Sequence, residues 1–398
     1  MINCDEIVKK LPSNSLTSGF HVVKFICKYS LQIHRRKKMK KLFSMLLVVL
    51  LLASVLVGCG GTTTPTGKTS EVTFGFVTDI GGIDDKSFNQ TSWEGCKKFM
   101  DEFGLVEGTD GRYLQSDQES QYSPNLTAFA TEGVDIIVAA GYLFADSIAA
   151  TAESYPDQKM LIIDVDWLTV TDNVQQAVFA EHEGSFLVGV AAGMKANEAG
   201  KKIVGYIVGM DSVTMDKFEA GYQAGVWAVC PDCTILRDNA DHFNDAPKGK
   251  SLAQKQYDAG AYVIFHAAGG TGMGVIQEAA ERRANGEDVW VCGVDTDQYE
   301  LGKFGDGSQS AVLTSMMKRV DVAAYNALKA VHDGTFKGGV VVYDLAGEGV
   351  GLPATNPNLT QDVLDAVAGF VTKIVAGDIV VPRTPETSAT SPLVIGQR

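Results

Sequence analysis

From residue 72 onward the chain alternates short, almost uninterrupted apolar runs with loops and then with stretches of amphipathic helical spacing. Val72-Thr73-Phe74-Gly75-Phe76-Val77 leads to a helical pattern over 91–103. The run 134–140 leads through Gly141 to a helix around 145–154, and 160–164 leads to a loop holding Asp166 and Trp167. Strands this uniformly apolar are buried on both faces, so the pattern predicts a parallel sheet covered by right-handed crossover helices. It begins again near residue 203, with Ile203-Val204-Gly205-Tyr206-Ile207-Val208. Further runs follow at 262–265, at 289–294 and at 311–314. Two such half-chains predict two doubly wound lobes whose loops after the strands share a crevice.

The loop Thr78-Asp79-Ile80-Gly81-Gly82-Ile83-Asp84-Asp85-Lys86-Ser87-Phe88-Asn89-Gln90 joins the first strand to the first helix, at the edge where such folds bind ligands. Its glycines permit a tight turn, and Ser87 is placed to cap the helix. The same features also suit a plain, well-capped connection. Strand ends collect Asp79, Phe88, Asn89, Asp164, Phe265, Asp295 and Lys318, and another loop, His242-Phe243-Asn244-Asp245, offers Phe243. Aromatic rings can sandwich a flat base, carboxylates can accept from ring N–H groups or a diol, and a lysine can donate to a hydroxyl. Each residue has a plainer reading: Phe265 as core, Asp164 and Asp295 as helix caps, Lys318 with Arg319 as a solvated pair. Gly269-Gly270-Thr271-Gly272-Met273-Gly274 departs from the dinucleotide-binding spacing and reads as a backbone-lined edge of the cleft.

An address label precedes the body. Met39-Lys40-Lys41 is followed by an apolar run over 42–57, short for a membrane span, and then by Leu56-Val57-Gly58-Cys59. This is the pattern of a bacterial lipoprotein signal with Cys59 as the lipidated residue. Residues 1–38, with the basic cluster His34-Arg35-Arg36-Lys37-Lys38, are expected to be an upstream extension ahead of a start at Met39. The signal peptide then spans 39–58, and 59–70 is a polar, turn-rich tether. Its Gly67-Lys68-Thr69 resembles the end of a phosphate-binding loop, but Thr62 stands where that motif needs glycine.

The formal charge of −14 argues against a nucleic-acid partner. Of seven cysteines, Cys4 and Cys27 lie in the leader, and Cys230-Pro231-Asp232-Cys233 lacks the second ligand pair a zinc site requires. A structural disulfide or two quiet thiols are its expected states. His182, His242 and His266 show no metal-ligand spacing, Asp84-Asp85 reads as a turn former, and no nucleophile elbow stands out. No metal, cofactor or catalytic residue is expected.

Five ordered segments resemble one family. They are 79–90, Glu183-Gly184-Ser185-Phe186-Leu187-Val188-Gly189, Ala268-Gly269-Gly270-Thr271-Gly272, Gly293-Val294-Asp295-Thr296-Asp297 and Thr314-Ser315-Met316-Met317-Lys318-Arg319. Together they resemble the basic membrane protein family of bacterial lipoproteins, in its purine nucleoside receptor branch, over 72–382. The resemblance implies an α/β type I periplasmic-binding-protein fold: two Rossmann-like lobes with parallel sheets joined by a three-segment hinge. The expected lobes are 71–180 with about 309–336, and 181–308 with about 337–398. It also implies a nucleoside ligand of the guanosine, inosine or adenosine class, permease subunits with a separate ATPase, and a monomer anchored by lipid on the extracytoplasmic face of the cell membrane. Carried over, Phe88 stacks on the base with Phe265 opposite and Phe243 as competitor. Asp79, Asn89 and Asp164 read the base edge, with Asp166 a rival to Asp164; Gly269 lines the cleft, and Asp295 and Lys318 hold the ribose hydroxyls. A sugar or autoinducer receptor, and a nucleoside-processing enzyme, are the other classes considered.

Overall fold

The computed structural model describes residues 69–386. The signal, Cys59 and most of the tether therefore lie outside the described residues.

In the first lobe the order is β1 (Phe74–Val77), α1 (Phe88–Phe103), β2 (Gly111–Leu114), α2 (Tyr122–Glu132), β3 (Ile136–Ala139), α3 (Ala145–Ser154), β4 (Lys159–Ile163) and β5 (Val174–Phe179). The second lobe begins with α4 (Glu181–Glu198), β6 (Ile203–Val208), α5 (Val213–Val229), β7 (Thr234–Asn239), α6 (Ala246–Asp258), β8 (Val263–Ala267), α7 (Gly272–Ala284) and β9 (Trp290–Asp295). A small hairpin, β10 (Lys303–Phe304) and β11 (Gln309–Ser310), precedes β12 (Val312–Lys318), α8 (Val320–His332), β13 (Gly339–Tyr343), β14 (Val350–Gly351) and α9 (Gln361–Val375).

Hydrogen bonding sorts the strands into two sheets of six, β13-β5-β4-β3-β1-β2 and β14-β12-β9-β8-β6-β7. All pairings in the first are parallel, and in the second only β14 runs antiparallel. Every residue of β1, β3, β8 and β9 is buried, as strands covered on both faces by helices must be.

The chain crosses between lobes at Ala180, at Arg319 and through 344–349. The crossings lie side by side: Ala180 N–H donates to the Tyr343 carbonyl at 2.9 Å and Arg319 N–H to the Gly349 carbonyl at 3.0 Å. Leu345 N–H donates to the Glu183 carboxylate at 2.9 Å. The lobe boundaries differ from expectation. β12 pairs with β9 and so belongs to the second lobe, whereas β13 pairs with β5 in the first. Two apolar runs of similar composition can join either sheet, and only backbone register decides which.

Helix α1 shows how local sequence sets the site. Trp93, Cys96, Phe99 and Met100 recur at helical spacing and form its buried face, and Gly104, at φ 68°, ends it in a left-handed cap. Its start is capped otherwise than expected. Ser87 makes no side-chain cap; Asp85 instead accepts from the N–H groups of Ser87, Asn89 and Gln90, at 2.9, 2.8 and 3.1 Å. Cys230 and Cys233 form a disulfide in the turn after α5, while Cys96 and Cys292 are free and buried.

Helices α4 and α5 meet at glycine. A Cβ on Gly221 would overlap the His182 carbonyl, and one on Gly225 the Phe186 carbonyl, so the backbones approach as only glycine allows. Gly225→Ala is expected to lower the free energy of urea unfolding by about 1–3 kcal/mol. An unchanged midpoint would show that the helices separate without cost.

Candidate functional site

The carboxyl ends of both sheets face one cleft. The first lobe contributes Asp79, Gly81, Asp85, Phe88, Asn89, Gly141, Tyr142 and Asp164; the second contributes Met215, Phe218, Phe243, Ala267, Ala268, Gly269, Val294, Asp295 and Lys318. Seven of the eight ligand-site residues expected from the sequence are brought together here.

Asp79 lies two residues past the end of β1 and is clamped in place. One carboxylate oxygen, Oδ1, accepts from Gly81 N–H and from Asn89 Nδ2, both at 2.8 Å. A Cβ on Gly81 would stand 2.7 Å from Asn89 Nδ2, so this turn excludes a side chain. The other oxygen, Oδ2, faces Gly141, where a Cβ would come within 2.9 Å of it. Burial pushes the Asp79 carboxyl up to about 7, against the lowering effect of its Asn89 and Gly81 hydrogen bonds. Asn89 is wholly engaged. Nδ2 also donates to Asp85 at 3.0 Å, and Oδ1 accepts from the Asp79 backbone at 3.1 Å. Both amide protons are committed within the loop, so Asn89 holds Asp79 instead of presenting a free donor to the cleft.

The second lobe contributes Lys318, the last residue of β12 and 1 % exposed. Its Nζ is 2.7 Å from the Asp164 carboxylate and 3.1 Å from Glu181. The rings of Phe88, Phe179 and Phe218 surround it, with centroids 5.2, 5.1 and 5.2 Å from Nζ. Burial pulls the lysine pKa down, but Asp164, Glu181 and Asp295 more than offset this and leave it above the ordinary value. Glu181 opens α4 and also faces Lys217 at 3.5 Å. Burial raises its pKa and Lys318 opposes the rise.

Asp164 and Asp295 follow β4 and close β9 at φ 70° and 67°. This left-handed conformation is one aspartate tolerates better than most residues. Asp166 is exposed, so of the two rivals it is Asp164 that reaches the cleft. Burial lifts Asp295 to about 7, with Lys318 and the Ser87 hydroxyl acting the other way.

Phe265 is the exception. It is fully buried, with its ring centroid 5.8 Å from Tyr206 and 5.2 Å from Tyr222. β8 runs on to Ala267, so at about 3.3 Å per residue Phe265 sits roughly two residues, about 6.6 Å, below the strand's cleft end. Phe243 lines the cleft instead, packed over Gly209 and beside Gly269, whose φ is 54°. It meets Tyr142 of the first lobe edge-on at 6.4 Å between centroids. Tyr142, Met215, Phe218 and Glu181 were not anticipated. Their signals are weak: Met215 and Phe218 have the spacing of any amphipathic helix, and Glu181 precedes a family segment by two residues.

Two parallel-sheet lobes, three crossings and a cleft between the carboxyl ends of the strands define a solute-binding protein of the type I fold. Residues 73–385 match the family described as ABC transporter substrate-binding protein PnrA-like, and the chain belongs to that family. It is 39% identical over 361 residues to the CD4+ T-cell-stimulating antigen of Listeria monocytogenes, covering 87% of this chain and 99% of that one. It is 36% identical over 356 residues to the ABC transporter nucleoside-binding protein BmpA of Lactococcus lactis, covering 86% and 99%. Among solved structures, an ABC transporter solute-binding protein from Aeropyrum pernix superposes with a TM-score of 0.70 at 26% identity, covering 78% of this chain and 94% of that one.

The raised carboxyl of Asp79 has a pH consequence. An unfolded aspartate titrates near 3.9, roughly, so between about 4 and about 7 the folded state holds the extra proton and its stability falls as pH rises. Asp79→Asn removes that dependence. Its thermal midpoint is expected to exceed that of the unsubstituted protein at pH 8, with the gap closing toward pH 5. A gap independent of pH would contradict the assignment.

Proposed function

We propose that the protein captures nucleosides, purine nucleosides foremost, in the interlobe cleft and delivers them to permease subunits driven by a separate ATPase. The observation that carries this reading is that one cleft is lined by aromatic rings from both lobes, Phe88 and Phe243, together with Asp79, Asp295 and Lys318. A planar base between the rings would place its edge at the free oxygen of Asp79. Its ribose hydroxyls would lie at Asp295 and Lys318. Asn89 and Asp164 act one step back, holding Asp79 and Lys318, and Gly269 gives the Phe243 loop its close seat. The Lactococcus relative, named as nucleoside-binding, supports the ligand class.

The capture cycle needs no covalent step. Ligand bridging both lobes favours their closed arrangement by its differential affinity, and the closed form is what a permease recognises. The cysteine at 59 would carry the lipid that keeps a monomer at the extracytoplasmic face of the cell membrane, in keeping with relatives named as lipoproteins.

Native mass spectrometry followed by calorimetry with guanosine, inosine and adenosine tests this reading. Phe88→Ala and Phe243→Ala are each expected to weaken binding by roughly tenfold or more, from lost stacking and lost apolar burial, with the thermal midpoint little changed. Phe265→Ala should instead destabilise the fold by about 3–5 kcal/mol. Retained affinity in both cleft variants, or release of free base on incubation, would overturn the proposal.

A further inference from the structure

Two hydrogen bonds join the lobes through one pair of loops, 85–87 in the first lobe and 295–298 in the second. Ser87 donates its hydroxyl to Asp295. Gln298 donates from Nε2 to the Lys86 carbonyl at 2.9 Å. Asp295 lines the cleft and Gln298 does not.

Gln298 is built into its own lobe. It is fully buried; its Oε1 accepts from Val294 N–H at 3.0 Å, and its backbone N–H donates to Ser315 Oγ at 3.1 Å. Space for the amide comes from Gly293, where a Cβ would stand 2.5 Å from Gln298 Oε1 and 2.7 Å from Ser315 Oγ. On the facing lobe Lys86 is held at φ 55°, a conformation lysine seldom adopts. The adjoining Asp85 cap, which takes the Ser87 N–H at 2.9 Å, keeps the loop in that shape. A left-handed lysine on one lobe and a glycine-lined amide on the other thus converge on a single bond.

The geometry points to Gln298 as a positioning residue that latches the two lobes together: it lies outside the cleft lining and aids capture only through its bond to the Lys86 carbonyl. That bond joins a side chain of one lobe to the backbone of the other, so it is broken whenever the lobes part. A net hydrogen bond present only in the closed form shifts the closed-to-open ratio by roughly three- to tenfold. The shift acts on escape of bound ligand, because entry occurs while the lobes are apart. The inference rests on the two-lobed capture reading and holds whichever solute is carried.

The test uses the full chain, with guanosine as probe in stopped-flow measurements. Gln298→Ala is expected to release guanosine roughly three- to tenfold faster with an unchanged association rate, and to lower the thermal midpoint because the buried Val294 N–H loses its acceptor. Gln298→Glu keeps the acceptor for Val294 and loses the donor to Lys86. It should also release faster at pH 8, and recover toward the unsubstituted rate as acid restores a proton to the new carboxyl. Release rates matching the unsubstituted protein in both variants overturn the latch. If the unsubstituted protein takes up none of guanosine, inosine and adenosine, the nucleoside reading fails and the latch is read from solution scattering. A wider lobe separation in Gln298→Ala then supports it, and an identical profile overturns it.

Discussion

A single buried ammonium group ties the architecture to the site. Lys318 stands where β12 leaves for the second crossing, Glu181 where α4 leaves the first, and Asp164 on the first-lobe loop after β4. An ammonium this deep would cost several kcal/mol if it stood alone, and the carboxylates around it would cost as much without it. Each charge therefore requires the others, and satisfying them all places the hinge, the first-lobe loop and one end of the cleft in a fixed relation. The three phenyl rings around Nζ complete the enclosure with weakly attractive faces.

The first-lobe loop lining the cleft is organised by hydrogen bonds within itself. Asp85 caps α1, Asn89 spans Asp85 and Asp79, and Asp79 is left with one oxygen facing Gly141. The result is a preorganised acceptor whose supporting groups are already paired, which limits the ordering cost that a ligand must meet. Left-handed aspartates at the ends of β4 and β9 complete the polar lining by turning the chain sharply at the cleft edge. The lobes themselves are linked by three adjacent crossings, an arrangement able to pivot while each sheet stays intact.

How far the site could be read from the chain varied by residue. Asp79, Phe88, Asp295 and Lys318 line the cleft as expected because each sits at or just past a strand end or in a first helical turn, positions that a continuous apolar run followed by a helical pattern reveals. Phe265 was misjudged because the apolar run does not show where β8 stops, and two residues of extra strand carry it below the cleft. Asn89 lines the cleft, yet its engagement by Asp79 and Asp85 depends on a loop conformation that spacing does not encode. Ser87 has the chemistry of a cap, but the cap comes from Asp85 two residues earlier, which frees the Ser87 hydroxyl to face Asp295.

By itself the sequence determined the parallel-sheet class, the division into two lobes and the strand ends that bear the polar groups, because apolar periodicity and glycine placement are local consequences of burial and backbone sterics. The tertiary structure alone decided which sheet received β12 and β13, which phenylalanine reached the cleft, and which carboxylates shared Lys318. Those outcomes depend on contacts between residues distant in sequence, some more than one hundred positions apart, as Lys318 with Asp164 and Ser87 with Asp295, and no local pattern records the partner a buried charge or strand edge will find.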